Sequence, residues 1–232
     1  MLDSLIQELN GLDVVGKLKY LASKYENKIV FSTSFGWEDQ VITHLIFENN
    51  IPIKVFTLDT GRLFTETYYV WNRTLEIYGK PIHAYFPQAD AIQNMLQEKG
   101  PNSFYESVEN RKECCYIRKI EPLKRALRGN EIWVTGIRAD QSNNRMGMQD
   151  IEWDEGNRII KFHPLFDWSL EDVKDFTRMH QVVYNPLHNK GFVSIGCAPC
   201  TRAIKSGEDF RAGRWWWEDQ SKKECGLHQT SN

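Results

Sequence analysis

The 232-residue chain has no apolar run approaching the roughly 20 residues that a membrane-crossing helix needs, so the sequence offers no helical span. Residues 1–28 lack the basic start, apolar centre and small-residue cleavage site of a secretory signal, and show an amphipathic helical pattern instead. The expectation is a cytoplasmic protein with no membrane partner. Excess positive charge is missing too. Lys plus Arg number 29 against 31 Asp plus Glu, a formal net charge of −2, which disfavours a nucleic-acid binder. No internal repeat or low-complexity segment is visible, so the length implies one large domain, or one domain with a tail. An even set of cysteines is also lacking. Five cysteines without an export signal argue against a secreted disulfide framework.

The cysteines that are present carry chemistry by their arrangement. Cys114 and Cys115 are adjacent, Cys197 and Cys200 form a CxxC, and Cys225 stands alone in the C-terminal stretch. A lone cysteine is usually a small buried hydrophobe. That reading is hard to hold for Cys114 and Cys115, which point to different faces of a helix and sit among charged residues. Four plus one suggests four metal ligands and one thiol with a task of its own. Thiolate-rich sites suit Zn²⁺ or an iron–sulfur cluster, and spacing alone does not choose between them.

The first half of the chain alternates strand and helix signals. Strands are expected at residues 28–32, 53–58, 81–86 and 131–135, and helices at 37–49, 64–78, 90–99 and 113–127, with Pro122 able to start a second helix. The aromatic stripe of Phe64, Tyr68, Trp71, Leu75 and Tyr78 reads as core packing. Ser169 to Asp172 fits a capping box opening a helix to about His180, and beyond Tyr184 the chain reads as irregular. Such alternation means α/β, a mostly parallel sheet with helices on both faces.

In open parallel sheets, ligands bind beyond the C-terminal strand ends. Three loops fall there. Ser32 to Gly36 joins a strand to a helix, where backbone N–H groups and the helix N-terminus favour an anion. Leu58-Asp-Thr-Gly61, taken by itself, reads slightly better as a plain turn with an Asp cap. The third loop, 135–145, carries Arg138 and Arg145, suited to phosphate or sulfate. The C-terminal stretch adds Arg202, Lys205, Arg211 and Arg214, then Trp215, Trp216 and Trp217, which are core or a cover over a site.

The strings FSTSFGWEDQV, LDTGRLFTETY, CCYIRKIEPL, TGIRADQS, GCAPCTR, RAGRWWWE and KKECGLH, in this order, resemble the assimilatory adenylyl-sulfate reductases of the adenosine phosphosulfate/phosphoadenosine phosphosulfate reductase family. The likeness runs from about residue 30 to residue 228. It implies an adenine-nucleotide α-hydrolase-like (PP-loop) fold, with a reductase domain over residues 1–205 and a catalytic tail over residues 206–232. The first loop departs from the Gly-rich SGG type of the ATP-cleaving relatives, which fits a protein that does not split ATP. By resemblance, Cys114, Cys115, Cys197 and Cys200 hold a redox-inactive [4Fe-4S] cluster, and Lys119 links it electrostatically to the substrate. Ser32, Ser34, Arg138, Arg145, Arg211 and Arg214 resemble anion-binding positions, and Leu58, Thr60 and Gly136 adenosine-contacting ones. Cys225 matches the nucleophile, with His228 three residues on. The implied reaction is thioredoxin-dependent reduction of adenylyl sulfate to sulfite and AMP through an S-sulfocysteine. The 3′-phosphorylated form, PAPS, remains open as a substrate. A homo-oligomer is expected. A PP-loop tRNA-thiolating enzyme, which should need a Gly-rich loop and a basic face, and a zinc-structured binding module are the competing readings.

Overall fold

The computed structural model describes residues 2–141 and 148–218. Two helices, α1 (Leu2–Leu9) and α2 (Val14–Lys24), replace the single amphipathic helix expected at the N-terminus. Gly11 takes a left-handed φ of 78°, which ends one helix, and the Asp13 side chain accepts from the Gly16 N–H to start the next.

The sheet is ordered β3-β2-β1-β4-β6-β5. Its strands are β1 (Ile29–Ser32), β2 (Lys54–Leu58), β3 (His83–Tyr85), β4 (Ile132–Val134), β5 (Ile151–Asp154) and β6 (Ile159–Phe162). All neighbours pair in parallel except β5, which runs antiparallel to β6 at the edge. The four expected strands are present. The β5–β6 hairpin is an addition that periodicity did not expose. Lys161 on β6 is buried and pairs with Asp154 on β5 at 2.7 Å, so charge interrupts what would read as an apolar strand.

Val30 and Phe31 on β1, and Ile132 to Val134 on β4, are buried on both sheet faces, as central parallel strands must be. On one face Leu18, Leu21, Ile42, Ile46, Val70 and Val173 pack from α2, α3 (Trp37–Glu48), α4 (Thr65–Tyr78) and α8 (Leu170–Met179). On the other, Leu123, Ala126 and Leu127 of α7 (Glu121–Leu127) cover Val30, Phe56 and Trp133. Helix α8 opens on the expected capping box between Ser169 and Asp172. Strand order reverses between β1 and β4, and a crevice at such a switch point is where ligands bind. No helix among the described residues is long and apolar enough to cross a membrane.

The expected helix over 113–127 is broken into three pieces. Beyond α5 (Ala89–Lys99), helix α6 (Val108–Cys115) runs into a π-turn (Tyr116–Ile120), which passes into α7. The wider turn lies directly after the paired cysteines and carries Arg118 and Lys119, a placement common at functional sites. After α8 the described chain forms short 3₁₀ turns, as the irregular pattern beyond Tyr184 implies.

A candidate active site joined to a cysteine cavity

A cleft opens at the C-terminal ends of β1, β2 and β4. Its wall includes Ser32, Ser34, Gly36, Leu58, Thr135 and Gly136 from the strand ends, Lys119 from the π-turn, and Arg211 and Arg214 from the C-terminal stretch. The turn out of β1 is held tightly. Phe35 adopts a left-handed φ of 61°, unusual for an aromatic residue, and its buried ring stacks on Trp71 with centroids 5.6 Å apart. The Ser34 N–H and hydroxyl both donate to Asp39 Oδ2, each at 2.6 Å. Burial pushes the Asp39 carboxyl up to about 6, against the pull of those two hydrogen bonds. A Cβ on Gly136 would lie 2.2 Å from Asp39 Oδ1, so the β4 loop can approach α3 only as glycine. Ser32 Oγ accepts from Trp133 Nε1 at 2.9 Å.

Behind this cleft lies a smaller cavity walled by Cys114, Cys115, Cys197 and Cys200, with Arg62, Arg111, Arg118 and Lys119. The four cysteines are free thiols. Among the described residues no three Cys, His, Asp or Glu side chains form a group suited to a single metal ion. The two segments that supply the thiols are tied independently of any ligand. Ala198 N–H donates to the Arg62 carbonyl at 2.8 Å, Tyr105 Oη to the Pro199 carbonyl at 2.7 Å, and Arg118 Nη1 to the Thr60 carbonyl at 2.6 Å. Burial alone would raise the Cys197 thiol, yet Lys119, the Thr60 hydroxyl at 3.3 Å, Arg214 and Arg118 together hold it below its ordinary value. Burial, then the neighbouring Cys197, pushes Cys200 up to about 12, so the first cysteine of the CxxC gives up its proton more readily than the second.

Residues 201–218 fold back over this cavity. Thr201 bridges to Arg214, and Trp215 N–H donates to the Cys200 carbonyl at 3.1 Å. Trp215 is fully buried, with the guanidinium of Arg111 4.7 Å and that of Arg214 4.8 Å from its ring centre. Arg111 also forms a bidentate pair with Glu218, at 2.9 and 2.8 Å, with both side chains almost wholly buried. A Cβ on Gly196 would lie 2.5 Å from Arg214 Nη2, so glycine there admits the arginine to the cleft wall. The three tryptophans divide their work: Trp215 is core, whereas Trp216 is 40% exposed and packs with Trp217 and Tyr105.

The structure brings together most of the site residues expected from sequence, and separates two. Ser32, Ser34, Leu58, Gly136, Lys119, Arg211 and Arg214 line the cleft, and the four cysteines expected to ligate a metal line the cavity. Thr60 lies outside the cleft lining and against Cys197 instead, because the Asp59-Thr60-Gly61 turn folds toward Arg118. Arg138 is buried, with Nε on Glu38 Oε1 at 2.8 Å and Nη1 on Asp140, so its guanidinium braces the β4 loop and does not line the cleft. Arg145, Cys225 and His228 lie outside the described residues. Asp39, Glu38, Thr135 and His188 also line the cleft and were not singled out. The Trp37-Glu-Asp39 run at the start of α3 could have flagged the first two, since acids in an anion-binding loop need an explanation. No periodicity marks His188.

The chain matches the family described as phosphoadenosine phosphosulfate reductase domain over residues 28–203. It is 54% identical over 203 residues to the adenosine 5′-phosphosulfate reductase of Allochromatium vinosum, covering 88% of this chain and 79% of that protein. It is 50% identical over 205 residues to the enzyme of the same name from Burkholderia cepacia, covering 88% and 82%. Among solved structures it is similar to the phosphoadenylyl-sulfate (PAPS) reductase of Candida auris in its phosphate complex, with a TM-score of 0.73 at 26% identity, covering 88% of this chain and 96% of that one. The FMN adenylyltransferase of Candida glabrata, at 18% identity and a TM-score of 0.56 over 96% and 79% of the two chains, shares the fold alone. These likenesses bear out the expected PP-loop α/β class. The chain belongs to the phosphoadenosine phosphosulfate reductase family and is an enzyme of the oxidoreductase class.

Proposed function

We propose that the chain reduces adenylyl sulfate to sulfite and AMP, with thioredoxin as electron donor. The observation that carries this reading is the position of Lys119, which borders both the strand-end cleft and the four-cysteine cavity. One cation shared by two chambers couples the charge in one to the ligand in the other. The donor set suits a [4Fe-4S] cluster: four thiols line one cavity, and Arg62, Arg118 and Lys119 line it too and would offset the charge of thiolate-bound iron. Cys114, Cys115, Cys197 and Cys200 would hold it. When bound, it supplies fixed charge beside Lys119 and a clamp between two distant segments.

In the cleft, Lys119, Arg211 and Arg214 neutralise the phosphosulfate, and the backbone turn at Ser32 to Gly36 meets its oxygens. Leu58 and Gly136 flank the adenosine, Arg138 keeps the β4 loop in place through Glu38, and Thr60 steadies Cys197. Arg145 joins the anion site in this reading. Residues 1–205 then form the nucleotide and cysteine-cavity unit, and residues 206–232 supply the catalytic tail. The Cys225 thiolate attacks the sulfonyl sulfur, a new S–S bond forms, the S–O bond to phosphate breaks, and AMP departs with the electron pair. His228, three residues on, favours the thiolate. A thioredoxin thiolate then attacks Cys225 sulfur and expels sulfite. Its second thiol resolves the mixed disulfide, so the two electrons come from the dithiol.

Intact mass of anaerobically purified protein, mixed with adenylyl sulfate without thioredoxin, tests the reading. A sulfo adduct mapping to Cys225 and removed by reduced thioredoxin is expected. PAPS runs in parallel, because the family name and the Candida auris relative keep that substrate in view. No adduct with either compound, on protein that retains iron and sulfide, would overturn it.

A further inference from the structure

The C-terminal stretch is fastened once more than its packing requires. Trp215 already ties it down: the ring is fully buried, its N–H donates to the Cys200 carbonyl at 3.1 Å, and Thr201 bridges to Arg214 beside it. Three residues on, the Glu218 N–H donates to the Trp215 carbonyl at 2.9 Å and closes a turn. The Glu218 carboxylate then accepts from Arg111 Nε at 2.9 Å and from Nη2 at 2.8 Å, with both side chains almost wholly buried. Replacing a buried ion pair by well-packed apolar residues is often neutral or stabilising, so firm packing alone does not call for charge here. What a two-pronged pair supplies is fixed distance and direction. Arg111 also refers that point to the cysteine cavity. It stands three residues before Cys114 on one face of α6, and both line the cavity. Its guanidinium lies 4.7 Å from the Trp215 ring centre. Upstream of the pair, Arg211 and Arg214 line the cleft. Downstream, Cys225 follows Glu218 by seven residues in sequence, which span at most about 25 Å.

We propose that Arg111 and Glu218 are positioning residues for the catalytic tail: their pair fixes the root from which Cys225 reaches the cleft. The inference rests on the reading of Cys225 as the nucleophile. With the pair intact, the last fixed point of the described chain is Glu218, and the thiol is carried on seven residues. With the pair broken, the last fixed point is Trp215, and the thiol is carried on ten. Chain length alone then lowers the effective concentration of the thiol about twofold. Loss of the fixed direction lowers it further. Neither Arg111 nor Glu218 lines the cleft, so nucleotide binding stays with Lys119, Arg211 and Arg214.

Quenched time courses of sulfo-adduct formation on the anaerobic full chain, at saturating adenylyl sulfate without thioredoxin, test this. The natural protein is compared with Glu218→Gln and Arg111→Lys. Lysine keeps the charge and loses the fork, so the two variants disturb the geometry from opposite ends. Each is expected to form the adduct about tenfold more slowly, with iron and sulfide content and the calorimetric affinity for AMP unchanged. An unchanged rate in both variants would overturn the proposal. So would AMP affinity falling in step with the rate, which would make the pair a support of the cleft. Hydrogen exchange of the natural protein gives a readout independent of how either variant folds. Residues 215–218 should stay protected before and after the adduct forms, and fast exchange there also overturns it. A natural protein that forms no adduct would bring down the sulfonucleotide reading itself, and this inference with it.

Discussion

Asp39 occupies an unusual position for an acid, since it is buried at the mouth of a cleft lined by three cations. Its carboxyl titrates near 6 in the fold against an ordinary 3.8, so the protonated form is favoured by folding. Stability from this group is therefore fullest below 3.8 and declines as pH rises to about 6. A shift of that size corresponds to about 3 kcal/mol. The unfolding free energy of the natural protein, relative to Asp39→Asn, is expected to fall by up to that amount between pH 4 and pH 6 and then level off. Denaturant titrations at a series of pH values measure it, and a flat difference would mean that the carboxylate keeps its solvent. The cysteines were legible in the sequence because their chemistry lies in residue type and spacing. Asp39 and His188 were not, because what distinguishes them is burial and a hydrogen bond made to a residue four or five positions away, neither of which has a sequence signature.

At the level of elements, the four central strands and most of the helices could be read from hydrophobic runs, since parallel strands buried on both faces are continuously apolar. The β5–β6 hairpin escaped because Lys161 and Asp154 satisfy one another inside it. The break between α6 and α7 escaped because a π-turn preserves helical periodicity locally while shifting the face that Arg118 and Lys119 present. The C-terminal stretch is anchored to α6 by Arg111 and Glu218. Glu218→Ala leaves the Arg111 charge buried beside Trp215 without that carboxylate, and should cost roughly 3–5 kcal/mol. Chemical denaturation, together with the tryptophan fluorescence that the loosened segment would alter, checks this. A cost below about 1 kcal/mol, the range of exposed pairs, would show the pair to be hydrated in solution.

Over the whole molecule, two units of different character meet at Lys119. The sheet has its own apolar core on both faces, whereas the cysteine cavity is enclosed by Met95, Phe104, Trp215 and the thiols themselves. Metal binding in such small shells contributes directly to folding. Anaerobic iron chelation is therefore expected to raise hydrogen exchange and proteolysis in residues 108–120 and 191–214 while β1, β2 and β4 stay protected. Uniform protection after iron loss would argue against a structural cluster.

The wide sequence separation of the paired cysteines also sets an order of events during synthesis. Cys114 and Cys115 leave the ribosome some eighty residues before Cys197 and Cys200, with β4, β5, β6 and α8 made in between. At roughly 5–20 residues per second, the first pair waits on the order of 4–16 seconds for the second. The parallel sheet can be laid down in that interval, so the nascent chain presents a nearly finished strand-end crevice before its four-cysteine set is complete. On the proposed cluster reading, cofactor delivery would belong to the last stage of the protein's biogenesis, with iron and sulfide supplied to a chain already mostly folded.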